Sequence, residues 1–144
     1  MRGCMRSLTE AADQVAAAGT ETDLAPYCTP AYIEMEAANC WLQLQEPAKA
    51  VPIFEQGLAT WPAGQERDRG LCLSRLATAH ALAGDLEAAC CVGQAALTVL
   101  RKAHSARILD QLRRLRRQLV PSRTVHAVAD LDQAFSEFVR SSPV

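Results

Sequence analysis

Residues 71–100 read LCLSRLATAHALAGDLEAACCVGQAALTVL and contain two runs of helix-forming residues on either side of Gly84 and Asp85. In each run, the core-type residues recur at intervals of three and four, which is the spacing of one face of an α-helix. Gly-Asp between two such runs is typical of a turn. The segment therefore predicts a helix–turn–helix pair, whose facing positions are Leu73, Leu76, Ala77, His80, Ala88, Ala89, Val92, Ala96 and Leu97.

A similar pair precedes this one. Thr29-Pro30 predicts an N-cap followed by proline at the first helical position, and Pro47 begins a second helix that Pro52 should kink or shorten. Aligning the two pairs at an offset of 39 residues places Ala50 on Ala89, with Gln45 in the place of the turn glycine. Repetition at about 34–40 residues predicts a solenoid of stacked helix pairs, and the small residues at the close-packing sites make it tetratricopeptide-like.

The remaining segments extend the pattern at both ends. A third, degenerate pair is expected at 106–119 and 125–139, and its first helix should bury Ile108, Leu112, Leu115 and Leu119. A short helix is expected at 7–18. The sequence thus predicts about seven helices, arranged as an N-terminal helix and connection over 1–28 and a tetratricopeptide-like helical domain over 29–140.

Composition supports an all-α chain. Of the 144 residues, 26 are alanine and 17 are leucine, whereas valine and isoleucine together supply only 12. Alanine and leucine favour helices, and β-branched residues favour strands. No apolar run approaches the roughly 20 residues that cross a bilayer, and charged residues interrupt the beginning of the sequence. We expect a cytoplasmic protein that does not enter the membrane.

The residues that carry conventional chemistry are scattered. The six cysteines include no Cys-x-x-Cys pair, the three histidines lie far apart, and there is no phosphate-binding glycine loop or nucleophile elbow. The cysteines are expected to be small buried thiols. We predict no catalytic residue, no metal site and no cofactor.

Several stretches resemble the C-terminal half of a known family. These are residues 29–38 (TPAYIEMEAA), 40–44 (CWLQL), 67–73 (RDRGLCL), 105–108 (SARI) and 128–132 (VADLD), together with Leu76-Ala77, Ala79-His80, Leu112-Arg113, Leu115-Arg116-Arg117 and Pro121. The family is that of the actinobacterial helix-turn-helix (XRE-type) transcriptional regulators with tetratricopeptide-like domains. The resemblance covers about residues 29–135. It implies a sensor or interaction domain that regulates an attached DNA-binding domain.

The family's DNA-binding half has no counterpart in this sequence. A helix-turn-helix requires roughly 50 residues in even a small stable domain, more than precede Ser7. The chain is therefore expected to be either a fragment of such a regulator or a stand-alone domain, and no direct DNA binding is expected from it.

Charge is concentrated in one segment. Residues 101–123 hold eight basic residues against Asp110, a net charge of +7 in a chain whose total is −1. The candidate surface comprises Arg107, Arg113, Arg114, Arg116 and Arg117. These arginines flank the apolar stripe and could dock an acidic partner or a phosphate-rich ligand. The alternative is a solvated face neutralised by the acidic repeats beside it.

A second candidate surface is the concave face of the solenoid. Its expected residues are Tyr32, Met35, Asn39, Gln43, Ser74, Thr78 and His80, a set suited to a peptide or a mostly apolar small molecule. Tyr32 and Met35 could instead pack under the N-terminal segment, and His80 could be a hydrogen-bonded core residue. Arg67 and Arg69 could contact an anion or bridge to acidic residues of the preceding repeat.

These patterns favour a non-enzymatic interaction or sensor module, associated with transcriptional regulation, that binds a peptide or partner protein on its concave face. The alternative is a small-molecule-binding protein or an enzyme of specialised metabolism that uses the same groove. A third possibility is homodimerisation through an exposed apolar face on the last helix, where Phe135 and Phe138 are available.

Overall fold

The computed structural model describes residues 29–142, and this part of the chain contains helices and turns but no β-strand. The all-α prediction is therefore confirmed. The chain divides into two compact units between Pro62 and Ala63. The expected helix at 7–18 lies outside the described residues. Within the described range, no helix combines the length and apolar character needed to cross a membrane.

The described part of the first unit contains one helix pair, α1 (Pro30–Gln43) and α2 (Pro47–Ala59). The Thr29 hydroxyl accepts a hydrogen bond from the Tyr32 backbone N–H at 3.2 Å, which is the N-cap that Thr29-Pro30 predicts. Pro52 lies inside α2 without ending it. The two helices bury a common core, formed by Ala31, Ile33, Met35, Ala38, Leu42, Ala50 and Phe54.

The second unit contains α3 (Glu66–Leu82), α4 (Leu86–Ala103), α5 (Ala106–Leu119), a 3₁₀ turn (Val120–Ser122) and α6 (His126–Ser141). Helix α3 packs against α4 and α5, while α4 also supports α6. Asp85 and Ser105 cap α4 and α5 by accepting hydrogen bonds from backbone N–H groups three residues later.

The turns within the two helix pairs share one backbone feature. Gln45 has φ = 60° and Gly84 has φ = 84°, so both adopt the left-handed conformation. Glycine adopts it without steric cost, whereas glutamine is strained there. The alignment that placed Gln45 on the turn glycine therefore pairs two residues of the same backbone geometry.

The apolar stripe predicted for α5 is confirmed, because Ile108, Leu112, Leu115 and Leu119 are all buried. On α6, Val128, Leu131 and Phe135 are buried as well. The expectation that Phe135 is available for a dimer interface is wrong: only 2% of its surface is exposed. Phe138 is half-buried. The apolar face of α6 is used inside the second unit.

Two glycines set the spacing of the helices in the second unit. A Cβ atom on Gly70 of α3 would lie 2.6 Å from Ile108 Cδ1 and 2.7 Å from Val99 Cγ1. A Cβ atom on Gly93 of α4 would lie 3.0 Å from Leu131 Cδ2 and 3.3 Å from Leu115 Cδ2. The missing side chains thus allow α4 and α5 to approach α3, and α5 and α6 to approach α4.

We expect Gly70→Ala to destabilise the second unit. Alanine improves helix propensity by about 1 kcal/mol, but overpacking against the stiff side chain of Val99 costs about 1–3 kcal/mol. The free energy of unfolding, measured by urea denaturation, should fall.

Gly57→Ala is the matched control, because a Cβ atom on Gly57 of α2 meets no described residue within 4 Å. This variant should gain about 1 kcal/mol from helix propensity alone. Equal stabilisation by both substitutions would contradict the close approach at Gly70.

Candidate interaction surface

The basic residues of α5 flank its buried stripe. Arg113, Arg114 and Arg117 are exposed, while Arg116 is partly covered, with 33% of its side chain accessible. Helical spacing places Arg116 beside the buried stripe that begins at Ile108, and it places the other three arginines further round the helix, toward solvent. The predicted outward orientation of this charge is observed, and Arg116 is the least exposed of the four.

Arg116 joins α5 to α6. Its Nε donates a hydrogen bond to Asp132 Oδ1 at 2.8 Å, and its Nη2 lies 2.6 Å from the same oxygen. The guanidinium carbon lies 4.5 Å from the centre of the Phe135 ring, and Nη2 lies 3.5 Å from Ser136 Oγ. An arginine held by a carboxylate and stacked on an aromatic ring is fixed in orientation. Arg116 therefore has a structural role.

The other arginines of this region are less constrained. Arg113 forms an exposed ion pair with Asp110 at 3.6 Å, as its i, i+3 spacing predicts. Within the described residues, the side chains of Arg114, Arg117 and Arg123 form no hydrogen bond or ion pair. Three guanidinium groups thus retain their donors for an external ligand.

A groove lies between α5 and α6 beside these arginines, and we call it the α5–α6 groove. One part has a volume of about 370 Å³ and the other about 260 Å³; both open to solvent and both are lined by Arg116, Val120 and Asp132. The first part adds Arg113 and Arg117, and the second adds Leu119, Arg123, Val128 and Leu131. The groove combines a basic rim with an apolar floor.

The predicted concave face is largely covered in the second unit. Ser74 is fully buried, and its hydroxyl donates to the Leu71 carbonyl at 2.7 Å. Thr78 is 9% exposed; its hydroxyl donates to the Ser74 carbonyl at 3.1 Å and accepts from Gln111 Nε2 at 3.3 Å. Because α5 packs over this side of α3, Ser74 and Thr78 are core residues, contrary to the expectation. His80 is half-buried.

In the first unit, the concave-face residues have different environments. Met35 is 1% exposed and belongs to the core, so its expected role in a groove is wrong for this structure. Tyr32 and Asn39 are half-buried, and Gln43 is exposed at the end of α1. Helical spacing places these residues on one side of α1, but burial of the Met35 side chain keeps its thioether out of contact with a ligand.

Arg67, Arg69 and Arg107 lie at the opposite end of α5 from the groove. Arg67 Nε donates to the Ala103 carbonyl at 3.1 Å, which satisfies an acceptor at the end of α4, and Arg69 pairs with Glu66 at 3.7 Å. Arg67 and Arg107 line a small cavity of about 180 Å³.

The described cysteines differ in accessibility. Cys72 and Cys90 are buried, Cys40 is half-buried, and Cys91 is exposed because adjacent helical residues diverge. Burial raises the pKa of the Cys72 thiol to about 12, although the nearby charges of Arg75 and Arg69 partly oppose this. Burial also raises the pKa of Cys90. A thiol with a raised pKa is a poor nucleophile at neutral pH, so Cys72 acts as a small core residue.

Sequence reasoning missed the α6 side of the groove. Asp132 lies 16 residues from Arg116, and no local spacing rule relates the two. Val120 precedes Pro121 in the 3₁₀ turn and is 50% exposed. The charge run did include Arg123, which lies three residues after Val120 and lines the same part of the groove.

Comparison of the chain with protein-family models, with curated proteins and with solved structures gives no match.

We expect the stability of the second unit to fall above pH 9, in part because of Cys72. The folded state holds the thiol protonated up to about pH 12, whereas the unfolded chain releases this proton near pH 9.0. The stabilisation is complete below pH 9, and each further pH unit removes about 1.4 kcal/mol from this group. Urea denaturation at pH 8 and pH 10 measures the loss.

Cys72→Ala should show a smaller decrease in the free energy of unfolding between these two pH values. Cys91→Ala, which replaces an exposed thiol on α4, is the control and should show the same decrease as the wild type. The same pH dependence in Cys72→Ala and wild type would contradict the assignment.

We expect Arg116→Gln to lower the free energy of unfolding by about 1 kcal/mol, because it removes both the cation–π contact and the ion pair with Asp132. Arg117→Gln, the adjacent exposed residue, should change stability by less than about 0.5 kcal/mol. Thermal or urea denaturation compares the two variants. Equal values would show that the Arg116 contacts do not join α5 to α6 energetically.

Proposed function

We propose that this chain is a non-enzymatic protein-interaction module that docks a partner protein in the α5–α6 groove. The observation that carries the proposal is that Arg117 and Arg123, whose side chains have no partner within the described residues, line the groove together with an exposed apolar residue, Val120. Exposed apolar surface with a polar rim is a common feature of interaction sites. Arginine is also enriched at such interfaces.

The shape of the groove favours a macromolecular partner over a small molecule. Small-molecule sites usually enclose most of the ligand surface within about 300–1,000 Å³. The two parts of this groove measure about 370 and 260 Å³ and open to solvent, which supports a partner that covers the groove. The carboxylate that lines it, Asp132, is held by Arg116 and supports the wall between α5 and α6. This arrangement supports binding more directly than acid–base catalysis.

The wider proposal is that the module belongs to a tetratricopeptide-like solenoid and acts in the cytoplasm as a sensor or interaction domain of a transcriptional regulator. Two helix pairs with left-handed turn residues at corresponding positions, Gln45 and Gly84, support the repeat. In this proposal, the groove on the last two helices replaces the concave face as the docking site, because Met35, Ser74 and Thr78 are buried.

The proposal can be tested by selecting binders from an unbiased displayed peptide library against the full chain. We expect selected peptides to protect α5, the 3₁₀ turn and the first half of α6 from hydrogen exchange. We also expect Arg117→Ser with Arg123→Ser to weaken their binding about tenfold or more, because both residues line the groove and charged interface contacts contribute several kcal/mol when desolvated.

Arg101→Ser with Lys102→Ser provides the matched control. It removes the same charge from exposed residues at the end of α4, away from the groove lining, and should leave affinity within about twofold. Binders whose protection maps to α1 and α3, or no binders at all, would contradict docking in the α5–α6 groove.

A further inference from the structure

We infer that the occupant of the α5–α6 groove is an acidic segment of a partner protein that places one bulky aliphatic side chain between its carboxylates. This inference rests on the proposed docking function and specifies the chemistry of the partner. Three features of the groove carry it: the free arginines on its rim, the exposed apolar residue at its centre and the fixed carboxylate in its wall.

The arginines on the rim of the groove favour a negatively charged ligand. Arg117 lines the first part of the groove and Arg123 the second, and neither side chain has a partner within the described residues. Arg113 adds a third cation, held only by an exposed pair with Asp110 in which both side chains are more than half accessible. Carboxylates pair with guanidinium groups in a planar, bidentate geometry, so acidic side chains suit both ends of the groove.

The centre of the groove favours an apolar group on the ligand. Val120 lines both parts of the groove and is half exposed, and Leu119, Val128 and Leu131 continue the apolar floor on one side. Displacing water from this floor by an aliphatic side chain is favourable, because it removes apolar surface from water. A leucine-sized side chain offers enough area for a binding anchor, at about 1.5–3 kcal/mol for full burial.

The position of Asp132 determines where the ligand can place its carboxylates and where it must place its apolar group. Its carboxylate lines both parts of the groove and is fixed by Arg116, so the middle of the groove already contains an ion pair. A ligand carboxylate placed there would meet a like charge, whereas an aliphatic group would not. The expected ligand pattern is therefore carboxylate, aliphatic side chain, carboxylate.

The same features argue against nucleic acid. Among the described residues, the lining of the groove contains no aromatic side chain on which a base could stack, and a phosphate chain running through it would pass Asp132. Polyphosphate chains also gain nothing from the exposed valine. Binding of duplex DNA or of heparin is therefore a distinguishing outcome of the test.

The test measures fluorescence anisotropy of labelled synthetic peptides with the full chain at physiological salt. The probe is a short capped peptide with two glutamates on each side of one leucine. We expect it to bind, and replacing its leucine by serine or its glutamates by glutamines should each weaken binding about tenfold or more. Val120→Ser should weaken binding of the leucine probe and leave the serine probe unchanged.

Asp132→Asn should change affinity for the acidic probe in the opposite direction. It removes the like charge from the centre and releases Arg116, so affinity for the acidic probe should rise several-fold, while loss of the ion pair should lower stability by no more than the roughly 1 kcal/mol expected for Arg116→Gln. Circular dichroism confirms that each variant remains helical. Unchanged or weaker binding of the acidic probe to folded Asp132→Asn would overturn the assigned ligand pattern.

The outcomes separate this inference from the proposed function. Neutral or basic binders selected at the groove would overturn the acidic partner while leaving docking intact. Binding of duplex DNA or heparin more tightly than the peptide, without dependence on Val120, would replace the protein partner by a polyanion. Failure of every selected peptide to protect the groove would remove both proposals.

Discussion

The second unit depends on two points of close helix approach at glycine residues. At Gly70 the side chains of Val99 and Ile108 occupy the space where a Cβ atom would lie, and at Gly93 the leucines at 115 and 131 meet from two different helices. Because α5 and α6 both contact α4 at Gly93, this residue sets how far apart they lie. The groove between them is therefore a consequence of packing in the core.

The contacts of Arg116 give the arginines of α5 unequal roles. One of them spans the gap to α6 through Asp132 and the Phe135 ring, and it lines the groove as part of its wall. Its neighbours at 114 and 117 are exposed and keep their hydrogen-bond donors. The net charge of the helix counts these arginines equally, although Arg116 supports the wall of the groove and Arg117 is placed to contact a ligand. Substitutions across this region are consequently expected to separate stability from binding.

Sequence patterns predicted the local structure well because caps, turns and apolar spacing act over a few residues. Thr29, Ser105 and the stripe beginning at Ile108 all behave as local rules require. The faces of α1 and α3 were assigned less successfully, since burial of Met35, Ser74 and Thr78 depends on which helices pack over them. The α6 wall was missed because Asp132 meets Arg116 only after the chain turns at Val120 and Pro121.

The charge distribution also bears on selectivity. Residues 101–123 carry +7, while residues 1–100 carry −6 and residues 124–144 carry −2, so the chain is nearly neutral. At physiological ionic strength, screening acts over about 8 Å, so a ligand in the groove experiences chiefly the charges that line it, with Arg117 and Arg123 among them. The net charge of the whole chain is therefore a poor guide to what the groove attracts, and its local excess of arginine favours a short acidic segment.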